Sequence, residues 1–216
     1  MDTSFLKWIE HAGFLLEIGG KNVYVDPFRI RGGLPKADIV FITHTHFDHF
    51  NEEALGKISG SRTRFVAPRE TAGKLPGRNV LAVEPNRDYE IEGIRFRTVP
   101  AYNTDKEFHP KGNGWVGYVI DANGTKVYHP GDTDETEELK SVQADIALLP
   151  IGGHYVMSVE EAIDAAGHIK AKLFIPMHYR ALLGPEGSKK VEEEFRRRVK
   201  NSIILEQVQE PYYSFQ

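Results

Sequence analysis

A mixed α/β fold built from two similar halves is what this sequence predicts, and three observations predict it. Apolar runs joined by tight turns make hairpins: "FLLEIGGKNVYVD" (14–26) and "YVIDANGTKVYH" (118–129) both read strand–turn–strand, the second around Asn123-Gly124. Two continuous apolar strands, "ADIVFIT" (37–43) and "ADIALLPI" (144–151), share an opening Ala-Asp-Ile and have the pattern of strands buried on both faces. Helical patterns lie between the strands, but the hairpins are too many for a simple doubly wound parallel sheet.

The elements follow in order. "FLKWIE", "FLLEI" and "NVYVD" are strands, with "IGGKN" as the hairpin turn between the last two. After "ADIVFIT", "NEEALGKI" (51–58) has a helix-start pattern, with Asn51 as N-cap and two acids in the first turn. "TRFVAP" and "NVLAV" are short strands around a small helix at 69–74. "YEIEGIRFRTVPA" is a hairpin turning at Glu92-Gly93. "SVEEAIDAAGHIKA" (158–171) is the strongest helix: Ser158 and Glu161 form a capping box, and Val159, Ala162, Ile163, Ala166 and Ile169 form one apolar stripe. "KLFIPMHY" is a strand ending on a histidine. "EGSKKVEEEFRRRVK" (186–200) is a charged helix in which Glu192, Glu193 and Glu194 each precede an arginine by four residues.

Composition limits the function. The 216 residues suit one domain, 1–216, large enough to bury a core. A net charge of -4 offers no field for a polyanion, so nucleic acid is not an expected partner. With no cysteine there is neither a disulfide framework nor a thiolate ligand, and a metal would have to be held by His, Asp and Glu. No window approaches the ~18 apolar residues of a membrane span. The N-terminus lacks a signal-peptide pattern, and a cytoplasmic location is expected. The aromatic tail "EPYYSFQ" (210–216) could pack on its own core or on a second copy in a homo-oligomer.

The chemistry lies in the histidines. "THTHFDH" places His44, His46, Asp48 and His49 directly behind a buried strand. His44 and His46 are two apart and point the same way in an extended segment, while Asp48 and His49 follow in a turn, so the stretch can present two adjacent half-sites. Imidazole and carboxylate suit zinc, manganese, nickel and iron. His129 with Asp132, His154, and His178 also lie just after apolar strands, in loops of the kind that usually carry function.

"THTHFDH" resembles the H-x-H-x-D-H signature of the metallo-β-lactamase superfamily. "VYVDPF", "VYHPGDTD" and "IPMHY" are similar to its other motifs and follow in the same chain order. Within it, "HAGFLLEIGGKNVYVDPF" and "GWVGYVI…GDTD" are similar to the small stand-alone hydrolases related to ascorbate-6-phosphate lactonase and to N-acyl-phosphatidylethanolamine phospholipase D. The resemblance implies a four-layer αβ/βα sandwich, two mixed β-sheets face to face with helices outside. It also implies two divalent metal ions, zinc foremost: one on His44, His46 and a further histidine, the other on Asp48, His49 and His178, with Asp132 bridging. Asp26 would support these ligands. Where the family has the further histidine, this chain has Asn103, and the nearest candidate is His109, as ligand or catalytic residue. Metal-activated water would attack a small ester, lactone or phosphodiester, with Asp48 passing a proton to the leaving group. His11 would lie near the site, His129 would orient a ligand and His154 would line the pocket. Lys111, Tyr155, Tyr179 and Arg180 would hold an anionic small-molecule substrate. His168 is expected to be structural. Two alternatives stand beside this: a nuclease, and a metal-binding sensor without turnover, the latter favoured by the displaced histidine.

Overall fold

The computed structural model describes all residues except 212 and 214–216. Twelve strands among them form two six-stranded mixed sheets. The first runs in chain order, β1 (Leu6–Glu10), β2 (Gly13–Ile18), β3 (Lys21–Val25), β4 (Ile39–Phe41), β5 (Arg64–Pro68) and β6 (Asn79–Val83). β1–β3 are antiparallel, and β3–β6 are parallel. The second holds β7 (Asp88–Ile91), β8 (Ile94–Pro100), β9 (Val116–Ala122), β10 (Thr125–His129), β11 (Ile146–Pro150) and β12 (Leu173–Met177). β7–β10 are antiparallel and β10–β12 parallel. Each half is thus a meander that continues into parallel strands.

The shared Ala-Asp-Ile marks that transition in both halves. The Asp38 amide donates to Asn22 O (2.9 Å), and its carboxylate accepts the Asn22 amide (2.8 Å). Asp145 makes the same pair of bonds to Lys126, both at 2.8 Å. Each aspartate fixes the register of the first parallel strand against the hairpin strand before it.

Alternation explains the apolar runs. Ile39 and Phe41 enter the core between the sheets, while Val40 and Ile42 pack on the outer face of the first sheet with Tyr24, Leu55 and Phe65. Phe41 meets Phe96 and Tyr118 of the opposite sheet with ring centroids 4.9 and 5.0 Å apart. The Tyr118 hydroxyl donates to Ile42 O at 2.7 Å, tying the sheets together just before the histidine loop.

The helices are α1 (Glu52–Ile58), α2 (Arg69–Gly73), α3 (Glu137–Lys140), α4 (Val159–His168) and α5 (Arg180–Arg198). Asn51 caps α1, accepting the Ala54 amide, and the Ser158–Glu161 capping box starts α4. α5 differs from expectation. It begins at Arg180 rather than near Glu186 and kinks at Gly184-Pro185, where Gly184 takes φ 65°. Glu192 is drawn from the expected pairing with Arg196 toward Tyr179 and Arg180. Tyr212 and Phe215 of the aromatic tail lie outside the described residues. No helix of the described residues is long and apolar enough to cross a membrane.

Candidate metal centre

The strand ends deliver the site. β1 ends before His11, β3 before Asp26, β4 before the 44–49 loop, β8 before the 103–109 loop, β10 before Asp132 and β12 before His178. In α/β sheets this C-terminal end of the parallel strands is where ligands gather. Two groups of four side chains able to hold a metal ion result: His44, His46, His109 and Asp132, and His11, Asp48, His49 and His178. Within each group the ligand atoms lie within 4.8 Å of one another.

Asp132 faces both groups. Its Oδ1 is 3.1 Å from Nε2 of His49 and 3.1 Å from Nε2 of His178, while its Oδ2 is 3.2 Å from Nε2 of His109. Gly131, at φ 67°, makes this possible: a Cβ there would stand 2.9 Å from that of Thr43. Asp48 Oδ2 lies 3.0 Å from His11 Nε2, 3.6 Å from His178 Nε2 and 3.8 Å from His49 Nε2.

The bonds behind the histidines set their tautomers. Asp26, fully buried, accepts the Thr43 amide (2.8 Å), the Thr43 hydroxyl (2.6 Å) and His49 Nδ1–H (2.7 Å). The Thr43 hydroxyl, committed as donor to Asp26, accepts from His44 Nδ1–H at 2.9 Å. Asn103 Oδ1 accepts His109 Nδ1–H (2.9 Å) and the His109 amide (3.0 Å). In all three rings Nδ1 is the atom tied to the acceptor behind it, which leaves Nε2 facing inward. Those buried Nε2 atoms, with His178 Nε2 and Asp132 Oδ1, have no hydrogen-bond partner. Polar atoms that converge in the interior without hydrogen-bond partners are what a divalent cation can satisfy, and an acceptor behind a ring is the usual outer layer of such a site. The donor set therefore fits the expected metals.

Charge gives the same answer. Burial alone lowers the His178 pKa, but Asp132 and Asp48 raise it to about 9; Asp132, Asp26 and Asp48 likewise lift His49 well above an ordinary imidazole despite burial. Burial and then His178 lower His11 to about 4, so it is a neutral donor to Asp48. Carboxylates that draw protons onto their neighbours draw a cation in their place.

The expected residues separate clearly. His44, His46, Asp48, His49, His109, Asp132 and His178 converge, and Asp26 and Asn103 stand directly behind them. His129 lies one layer back, bonding Ala12 O at 2.7 Å and accepting the Gly131 amide at 3.2 Å, which steadies the loop before Asp132. His11 stands at the edge of the second group, where its Nε2–H donates to Asp48 Oδ2 at 3.0 Å. His154 is exposed and packs on Phe108 and Tyr155. His168 bonds Glu135 away from the centre.

Two substrate contacts expected from sequence, Tyr179 and Arg180, are corrected, and a third residue, Lys111, has a surface partner. Tyr179 is fully buried and donates to Glu192 at 2.5 Å. Arg180 pairs with the same glutamate and lies over Trp8, 4.7 Å from its ring. Their side chains turn into the α5 packing because they start that helix. Lys111 is held by Glu138 (2.9 Å) over the Tyr102 ring. A groove of about 890 Å³ on the outer face of the second sheet, lined by Tyr89, Arg97 and Val119, contains none of the ligating residues.

Trp115 went unread in the sequence. Its ring stands 4.9, 5.0 and 5.7 Å from His44, His46 and His109, and its Nε1 donates to Glu70 at 2.8 Å. A tryptophan just ahead of a strand gives no signal of this, because the contact is made across the fold.

Known proteins match along most of the chain. A family described as the beta-lactamase superfamily domain matches residues 5–178. A UPF0173 metal-dependent hydrolase of Methanoculleus marisnigri is 35% identical over 93% of this chain and 90% of its own; another from Thermoplasma acidophilum is 38% identical over 83% and 84%. A solved structure described as a metal-dependent hydrolase, from Parabacteroides distasonis, superposes with a TM-score of 0.81 at 30% identity, over 94% of this chain and 92% of that one. The chain belongs to the metallo-β-lactamase superfamily, as a metal-dependent hydrolase.

Proposed function

We propose that this hydrolase cleaves an ester-type bond (carboxylic ester, lactone or phosphodiester) using two divalent cations side by side, with zinc the first candidate and manganese, nickel or iron able to use the same donors. The observation that carries it is the pair of adjacent four-residue groups with the two oxygens of Asp132 turned one to each. His44, His46 and His109 would hold one cation. Asp48, His49 and His178 would hold the other, with His11 at its edge. Bound cations would polarise the electrophile and acidify water.

The chain's own residues supply the rest. Asp26, Thr43 and Asn103 keep Nε2 of three histidines bare and aimed inward. His11 donates to Asp48 Oδ2 and fixes that carboxylate where it can hold a proton and pass it to the leaving oxygen. Trp115 closes the His44–His46–His109 side against water.

A sensor without turnover drew its support from a missing histidine. His109 Nε2, 3.2 Å from Asp132, favours turnover over that reading. The test is metal content per chain after purification, followed by assays of the metal-loaded protein on a lactone, a thioester and a phosphodiester. Two metals with turnover of a lactone or a phosphodiester is the expected result. One tightly held metal and no turnover would overturn the proposal.

A further inference from the structure

The loops that carry the ligands also expose aromatic rings. Six large hydrophobic residues are exposed among the described residues, and three of them stand at the centre. Phe47 lies between His46 and Asp48 and is 63% exposed; Phe108 precedes His109 and is 39% exposed; Tyr155 is 37% exposed. They flank the two groups. On the His11 side, Phe47 meets the buried Phe28 with centroids 6.0 Å apart, and Phe28 meets His11 at 6.1 Å. On the His109 side, Phe108 meets Tyr155 at 4.7 Å, and the Tyr155 carbonyl accepts Asn103 Nδ2–H at 3.1 Å. Asn103 is the residue that orients His109, so this aromatic wall and a ligating ring are positioned by one side chain.

Three cations of the surrounding segments have carboxylate partners. Lys106 pairs with Asp134 at 2.7 Å, Lys111 with Glu138 at 2.9 Å and Arg180 with Glu192 at 3.0 Å. Scattered exposed apolar residues need no explanation, but rings gathered on and beside the loops of the candidate centre do. Apolar walls around a few polar groups are the usual make-up of a small-molecule site.

We propose that the substrate is a neutral carboxylic ester or lactone bearing an apolar acyl or aryl group, selected by Phe47, Phe108 and Tyr155. The proposal rests on ester-type hydrolysis at this centre. Water oxygen bonds to the carbonyl carbon, the bond to the leaving oxygen breaks, and the proton removed from water ends on that leaving oxygen. No further reactant is needed.

The test compares p-nitrophenyl phenylacetate, p-nitrophenyl acetate and bis(p-nitrophenyl) phosphate on the metal-loaded protein. A Phe108→Ala/Tyr155→Ala double variant and a Phe47→Ala variant are assayed alongside. Calorimetric titration with phenylacetate and acetate measures binding without turnover, and sedimentation gives the oligomeric state. Wild-type protein should prefer the phenylacetyl ester in kcat/KM by about tenfold or more, the discrimination expected of an apolar pocket. It should also bind phenylacetate more tightly than acetate. Both preferences should collapse toward unity in the double variant at unchanged metal content. Equal kcat/KM for the two carboxylic esters overturns the selectivity and leaves ester hydrolysis standing. Turnover of the phosphodiester alone overturns the carboxylic-ester assignment. No turnover of any of the three, with two metals bound, counts against ester-type hydrolysis itself and removes this proposal with it. A variant that changes self-association but not selectivity shows an interface between copies instead and also overturns it.

Discussion

Asn103→Ala is the sharpest perturbation of the centre. Asn103 is nearly buried, and its side-chain oxygen accepts two protons from His109, at 2.9 and 3.0 Å. Alanine strands both buried donors, each at a cost of roughly 1–3 kcal/mol, and solvent reaching the gap keeps the total near 2–4 kcal/mol. For a chain of this length that lowers Tm by roughly 4–16 °C. Freed from its acceptor, the His109 ring loses its fixed tautomer and orientation, which weakens metal affinity roughly 10–100-fold. The loss should fall on the side held by His44, His46 and His109. The His49 and His178 side is anchored independently by Asp26 and Asp132. Competition against a chromogenic chelator should therefore resolve one metal leaving early and one near its wild-type affinity. Asn103→Asp keeps an acceptor for both protons and should restore most of the binding. An Asn103→Ala protein that retains both metals at wild-type affinity would show that His109 is not a ligand.

Three more outcomes follow from the same geometry. Asp48→Ala should lower turnover at least ~100-fold, the usual worth of a positioned proton donor, with circular dichroism unchanged; turnover at the wild-type rate would remove Asp48 from the chemistry. Glu10 is 1% exposed with neither carboxylate oxygen bonded, and burial raises its pKa to about 7 against the pull of Arg29 and Arg31. Its folded value lies above its unfolded one, so stability is lost as pH rises from about 4.5 through 7; Glu10→Gln should leave Tm little changed at pH 4.5 and recover up to roughly 2–3 kcal/mol at pH 8, whereas a Tm gap independent of pH would refute the assignment. Gly152→Ala would place a Cβ 2.2 Å from the His178 carbonyl oxygen, so it should cost roughly 1–3 kcal/mol and loosen metal binding on the His178 side, and wild-type metal affinity in that variant would count against it.

What could be read in the sequence was local. The 44–49 loop was legible because a short spacing and the strand before it suffice to converge the groups. The two Ala-Asp-Ile strands were legible as a repeat because each aspartate makes the same local pair of bonds. Partners across the fold were not. Nothing near Trp115 in sequence points to three histidines, and the bond from His178 N to His11 O, 3.1 Å long, has no local signal either. Tyr179 and Arg180 were misread because proximity to His178 along the chain says nothing about direction. His178 has φ 58°, which turns the chain so that the next residues enter α5 facing Glu192.

That left-handed conformation recurs in a way that bears on how the centre is built. His11, Asp26 and His178 all have positive φ, at 54°, 43° and 58°. Asparagine or glycine would adopt this backbone more readily, and it costs an ordinary side chain of order 1 kcal/mol or more. Each of the three sits at the end of a strand, where the chain must leave the sheet and still aim a side chain back over it. Folding sustains the strain because the residues brace one another: His178 N bonds His11 O, His11 bonds Asp48, and Asp26 bonds both Thr43 and His49. Side chains held this way have their geometry set by the two sheets, so a cation bound among them would not have to spend free energy on ordering them.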